Sequence, residues 1–122
     1  MIELLSDMPD GVTGIKVSGK LAGTDIEALK PDFDDLFARH EFRLVEVVED
    51  DYAGYGPGGL TEDLKFGLGA LIKHHAEFRR IAFVTDLDWA RHTVHAIAWL
   101  VPGELKTFTL AELQEAKEWA AG

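Results

Sequence analysis

Cysteine is missing from this chain, which removes disulfides, thiolate zinc sites, iron–sulfur clusters and cysteine nucleophiles in one step. Basic residues are scarce: 12 Lys and Arg stand against 22 Asp and Glu, a formal net charge of −10. A field of that sign repels phosphate backbones and anionic lipid, so nucleic acid is not an expected partner. Long apolar runs are missing too. The longest, Val94 to Pro102, falls far short of the roughly 20 residues that a membrane-spanning helix requires. The start, Met1-Ile2-Glu3-Leu4-Leu5, is acidic and lacks the basic n-region of a signal peptide. The expected compartment is the cytoplasm, and no transmembrane segment is expected.

What is present is a globular balance, 47% hydrophobic and 28% charged over 122 residues. That length suits one domain with one core and is short for two, so residues 1–122 are expected to form a single domain. No internal repeat, low-complexity tract or linker interrupts them.

Ile2 to Leu5 is a short apolar run closed by the turn signal Ser6-Asp7-Met8-Pro9-Asp10-Gly11. Thr13 to Lys20 alternates apolar and polar residues, so the two runs read as a hairpin. Thr24 with Glu27 has capping-box spacing. The helix they open carries Ile26, Leu29, Phe33, Leu36 and Phe37, and Pro31 is expected to kink or split it. Phe42 to Val48 reads as a central strand, and Asp50 to Gly59 as the main irregular loop. Thr61 then caps a helix whose expected buried stripe is Leu64, Leu68, Leu71, His75 and Phe78. Phe66 lies off that stripe. Ile81 to Val84 is a short strand of the kind buried on both faces. A helix follows from Asp86 or Asp88 and stops at Pro102-Gly103. Its expected buried stripe is Trp89, Thr93, Ile97 and Leu100. Leu105 to Phe108 is the last strand. Thr109 with Glu112 caps a final helix through Leu113, Ala116 and Trp119.

The order β-β-α-β-α-β-α-β-α predicts an α/β fold: a mostly parallel sheet of about five strands, an antiparallel hairpin strand at one edge, and four helices. This order, with Ile2-Glu3-Leu4-Leu5, Gly14 to Gly19, Arg80 to Trp89, Pro102-Gly103-Glu104 and Leu110-Ala111-Glu112-Leu113 to Trp119, resembles the STAS domain. It is closer still to the small bacterial SpoIIAA-like proteins. The resemblance covers essentially the whole chain and implies a STAS or CRAL-TRIO-like sheet. Signalling STAS proteins carry a phosphorylatable Ser or Thr in an Asp-Ser-Ser/Ala motif at the helix start after the third strand. Here that region reads Tyr55-Gly56-Pro57-Gly58-Gly59-Leu60-Thr61-Glu62-Asp63. Thr61 is its one aliphatic hydroxyl and no Asp precedes it, so Thr61 reads as a helix cap rather than a phosphoswitch.

Asp88, His92 and His95 share a narrow arc of one helix face at about 100° per residue, a spacing compatible with a divalent metal and a metal-dependent enzyme. The bland alternative puts both histidines on the wet face with Asp88 as a first-turn acid, and it is preferred. His74 and His75 end a helix, where imidazoles suit the dipole. The glycine loop 54–59 lacks the Gly-Lys-Ser/Thr ending of a phosphate loop and is crowded by Glu49, Asp50, Asp51, Glu62 and Asp63. Gly67 and Gly69 in mid-helix each cost about 1 kcal/mol against Ala, which suggests close packing there. With Phe66, Trp89 and Trp99, they predict a tendency to homodimerise.

The expected function is a non-enzymatic, cofactor-free binding module for a protein partner or a small, partly apolar ligand. Carriage of lipid or another apolar molecule is the rival reading. In open α/β sheets ligands sit at the carboxyl ends of the strands. The expected recognition residues are therefore Tyr52, Tyr55, Thr61, Phe66, Asp86 and Trp89.

Overall fold

The computed structural model describes residues 1–39 and 41–122. Strand β1 (Ile2–Leu5) pairs antiparallel with β2 (Thr13–Val17), as the turn signal between them requires. Next come β3 (Lys20–Leu21), α1 (Gly23–Ala38) and β4 (Phe42–Val48). Then follow β5 (Gly54–Tyr55), α2 (Gly59–Lys73), β6 (Phe78–Thr85) and α3 (Asp88–Ile97). The chain closes with β7 (Glu104–Phe108) and α4 (Leu113–Ala121). Five strands form one sheet in the order β1-β2-β4-β6-β7, parallel from β2 to β7. The α/β fold, the antiparallel edge and the four helices are as expected from the sequence.

The loop expected over 50–59 is partly ordered. Its β5 pairs in parallel with β3, Lys20 opposite Gly54 and Leu21 opposite Tyr55. The chain then crosses Leu21 so closely that a Cβ on Gly59 would lie 1.9 Å from the Leu21 carbonyl oxygen, an approach open only to glycine. Helix α1 is continuous through Pro31 rather than split. Both Pro31 and Glu27, whose carbonyl Pro31 cannot bond, are exposed, so the missing bond falls on the solvent side of the helix. The helix begins earlier than the Thr24–Glu27 spacing suggests. The Ala22 amide donates to Asp25 Oδ2 at 2.9 Å, and alanine offers no side-chain acceptor in return. The Thr109–Glu112 cap does form: Glu112 Oε1 accepts from the Thr109 amide at 2.9 Å and its hydroxyl at 3.1 Å.

Alternation along the strands divides the interior between the two sheet faces. Val45, Val47, Ala82, Val84 and Phe108 point to one face and pack on Ala116 and Ala120 of α4. Arg43 and Arg80, opposite one another on β4 and β6, donate to the Ala120 and Trp119 carbonyls at 2.8 and 2.7 Å. They complement the C-terminal end of α4 in charge and hydrogen bonding. Ile15, Leu44 and Ile81 point to the other face, which α1 covers with Leu29, Phe33, Leu36 and Phe37.

Helix α2 sits on that second face in a rotation the sequence does not predict. Leu64 and Leu68, expected to be buried, are 55% and 57% exposed, and His75 is exposed. The inward residues are Phe66, 5.1 Å from Phe33 between ring centroids, the buried Ala70, and His74, stacked on Phe37 at 4.2 Å. Positions 66, 70 and 74 form a second stripe at helical spacing. The aromatic rings of α1 select it, because ring-on-ring contact adds to the area it buries. Phe78 is not in the helix at all but opens β6. A Cβ on Gly67 or Gly69 would meet nothing within 4 Å, so no close packing among the described residues explains either glycine.

Helix α3 is corrected likewise. Trp89, Ile97 and Leu100 are about half exposed, Thr93 is exposed, and Ala90 is the buried residue of the helix. Trp89 and Trp99 are both exposed, at 52% and 80%.

Candidate ligand cavity

Because α2 packs chiefly on α1 and α3 on β6, the sheet between them is left uncovered. A cavity of about 480 Å³ occupies the space. Leu44, Glu46 and Phe83 lie on its sheet side, Asp63, Leu64 and Phe66 on α2, and Trp89, Thr93 and Ile97 on α3. Tyr52 and Tyr55 line it as well. Nearly all of the lining is apolar. Its ionisable exceptions are two carboxyls, Glu46 and Asp63, and the two tyrosine phenols, and no Lys, Arg or His lines it among the described residues.

Glu46 sits mid-way along β4, pairing with Ile15 on one side and Phe83 on the other. It points to the cavity face because Leu44 and Val48 do, two residues away on either side. Its carboxyl takes part in no hydrogen bond or ion pair among the described residues. Burial, and then the negative charge of Asp63, push its pKa up to about 7. Asp63 Oδ2 accepts a 2.5 Å hydrogen bond from the Tyr55 hydroxyl. Burial, that bond and the nearby negative charges raise the Tyr55 phenol well above its ordinary value. Tyr52 is raised for the first and last of these reasons. Its ring stacks on Trp89 at 5.8 Å between centroids and 21° between planes.

Of the residues expected to form a recognition site, Tyr52, Tyr55, Phe66 and Trp89 do meet at this cavity. Thr61 and Asp86 do not line it. Thr61 is exposed in the first turn of α2, whose cap is Gly58 in a left-handed conformation with φ 73°. Asp86 instead accepts a hydrogen bond from the Leu110 amide at 2.9 Å, tying the end of β6 to the turn before α4. Asp88 pairs with Arg91 at 3.2 Å, and His95 meets the Thr107 hydroxyl at 3.0 Å. Among the described residues no three His, Asp or Glu side chains converge as a metal-ligand group. Glu46 is the residue that sequence reasoning missed. Its signal was present: one charge in the middle of Leu-Val-Glu-Val-Val, a run that otherwise reads as fully buried strand.

The profile of the SpoIIAA-like family matches residues 12–121. The chain belongs to the SpoIIAA-like family. A similar solved structure is that of an uncharacterised DUF3478-family protein with a SpoIIAA-like fold from Shewanella loihica PV-4. The two superpose with a TM-score of 0.71 at 23% identity, over 98% of this chain and 93% of the other. That likeness concerns the fold. No curated protein matches the chain. Among the described residues no helix is long and apolar enough to cross a membrane.

Proposed function

We propose that this SpoIIAA-like chain binds a small, largely apolar molecule in the cavity between the sheet, α2 and α3. The observation that carries this reading is the cavity itself, about 480 Å³ with an almost wholly apolar lining. Small-molecule sites commonly have that size and character, with a few polar groups to orient the ligand. The half-exposed Leu64, Leu68, Trp89 and Ile97 support it, since they flank the opening with apolar surface that an occupant would cover. The ligand reading therefore stands ahead of the protein-partner reading. Decanol is a simple probe, followed by tryptophan fluorescence and calorimetry. We expect saturable binding, weakened by about 1 kcal/mol or more in Tyr52→Ala or Trp89→Ala. Unchanged affinity in both variants, each still folded, would place the binding surface elsewhere.

One observation favours a second surface. Ile72 and Trp99 are 81% and 80% exposed and lie outside the cavity. Large apolar side chains so exposed suit a protein interface, and a second copy of the chain is the simplest occupant. Sedimentation at high micromolar concentration should then show a dimer that Trp99→Ala weakens; a monomer throughout would remove the idea.

A further inference from the structure

The cavity has a charge as well as a shape. Its two ionisable acids come from different elements, Glu46 from β4 and Asp63 from α2, and no described cation lines it. Asp63 is engaged by Tyr55, whereas the Glu46 carboxyl has no hydrogen-bonding or ionic partner among the described residues. Glu46 is only partly buried in the free chain, so an occupant of the cavity would seal its carboxyl from water, and a carboxyl so sealed is costly unless the occupant completes it. An apolar molecule with no polar head would impose that cost. An anionic amphiphile such as a fatty carboxylate would bring a like charge against two acids. A protonated amine carries only donors and fits both acceptors. The stacked Tyr52 and Trp89 rings line the same cavity, and aromatic faces attract cations.

We propose that the ligand of this cavity is a cationic amphiphile, an apolar body ending in a protonated amine that pairs with Glu46 and Asp63. The inference rests on the reading that the cavity is a ligand site, and adds the chemical class of the ligand. Pairing requires an ionised Glu46. Near neutral pH the free protein holds a proton there for part of the time, so amine binding expels it and tightens as the pH rises. The titratable groups that face Glu46 across the cavity are Asp63 from α2 and Tyr52 and Tyr55 from the segment between β4 and α2. The residues that α1, α3, β2, β6 and β7 contribute to the lining carry none.

The test is a calorimetric comparison of decylamine, decanol and decanoate on the intact chain, at pH 8 and pH 6. At pH 8 we expect the amine to bind roughly tenfold or more tightly than the alcohol, the yield of one charged hydrogen bond. Decanoate should bind weakest. The amine's advantage should shrink at pH 6 and in Glu46→Gln, and vanish in Glu46→Gln/Asp63→Asn, while decanol binds Glu46→Gln no worse. Should that variant fail to fold, the pH dependence of the wild type decides in its place. Equal affinity of amine and alcohol at both pH values would overturn the proposal while leaving the ligand cavity standing. So would an advantage that Glu46→Gln leaves undiminished. Binding of none of the three probes would overturn the cavity reading and the proposal together.

Discussion

The two faces of the sheet solve the same packing problem differently. Under α4 the interior is closed: Val84, Ala82, Ala116 and Ala120 are fully buried, and small alanines let the helix lie close to the strands. Under α2 and α3 the interior is open. A cavity remains, leucines of α2 stay half exposed, and a carboxyl occupies the middle of the central strand. The same strands supply both faces by alternation, so β4 gives Val45 and Val47 to one side and Glu46 to the other. A fold assembled only for stability would close both sides. The open side departs from close packing where a ligand would complete it, and functional sites are where such departures gather.

The comparison can be broken by measurement, and Glu46 offers the largest expected effect. Its folded pKa of about 7 lies above its ordinary value of 4.5, so between those values the folded state holds a proton that the unfolded state has released. Stability contributed by this group is therefore greatest in acid and declines as the pH rises through neutrality. Glu46→Gln should remove the penalty, raising stability by up to about 3 kcal/mol at pH 8 and by little at pH 4. Urea unfolding at the two pH values checks this. A variant less stable than wild type at pH 8 would mean that Glu46 makes an attractive contact in the folded chain, and that the open face is not strained by it.

The faces should also differ in their response to truncation. On the closed side, Val84→Ala removes fully buried methyl groups from a packed layer and should cost about 2 kcal/mol. On the open side, Leu68→Ala removes a larger side chain that is 57% exposed, and should cost less than about 0.5 kcal/mol. Equal losses at the two positions would show that α2 closes over the cavity in solution, and the contrast between the faces would disappear.

Much of the fold was legible in the sequence because it depends on local periodicity. The hairpin, the central strand from Phe42 to Val48 and the Thr109–Glu112 cap each rest on residues close together in the chain, whereas the helix expected to run to Pro102-Gly103 ends at Ile97 and gives way to a 3-10 turn over Ala98–Leu100. The strand β5 was not legible, because its two residues become a strand by pairing with Lys20 and Leu21, more than thirty positions earlier. The candidate site was half legible. Tyr52, Tyr55 and Trp89 could be selected as aromatics near strand ends and Phe66 as lying off the expected stripe, but Thr61 and Asp86, also selected near strand ends, lie outside the cavity.

By itself, then, the sequence determined the order of the five main strands and four helices, the parallel sheet, and the charge that disfavours anionic partners, since composition and spacing carry all three. Tertiary structure decided which stripe of α2 faces inward. Both stripes, one through Leu64 and Leu68 and the other through Phe66, Ala70 and His74, have helical spacing, and only contact with Phe33 and Phe37 separates them. Tertiary structure also decided the site. Stacking Tyr52 on Trp89 and facing Glu46 toward Asp63 require residues distant in sequence to share one cavity, and local pattern carries no information about that distance.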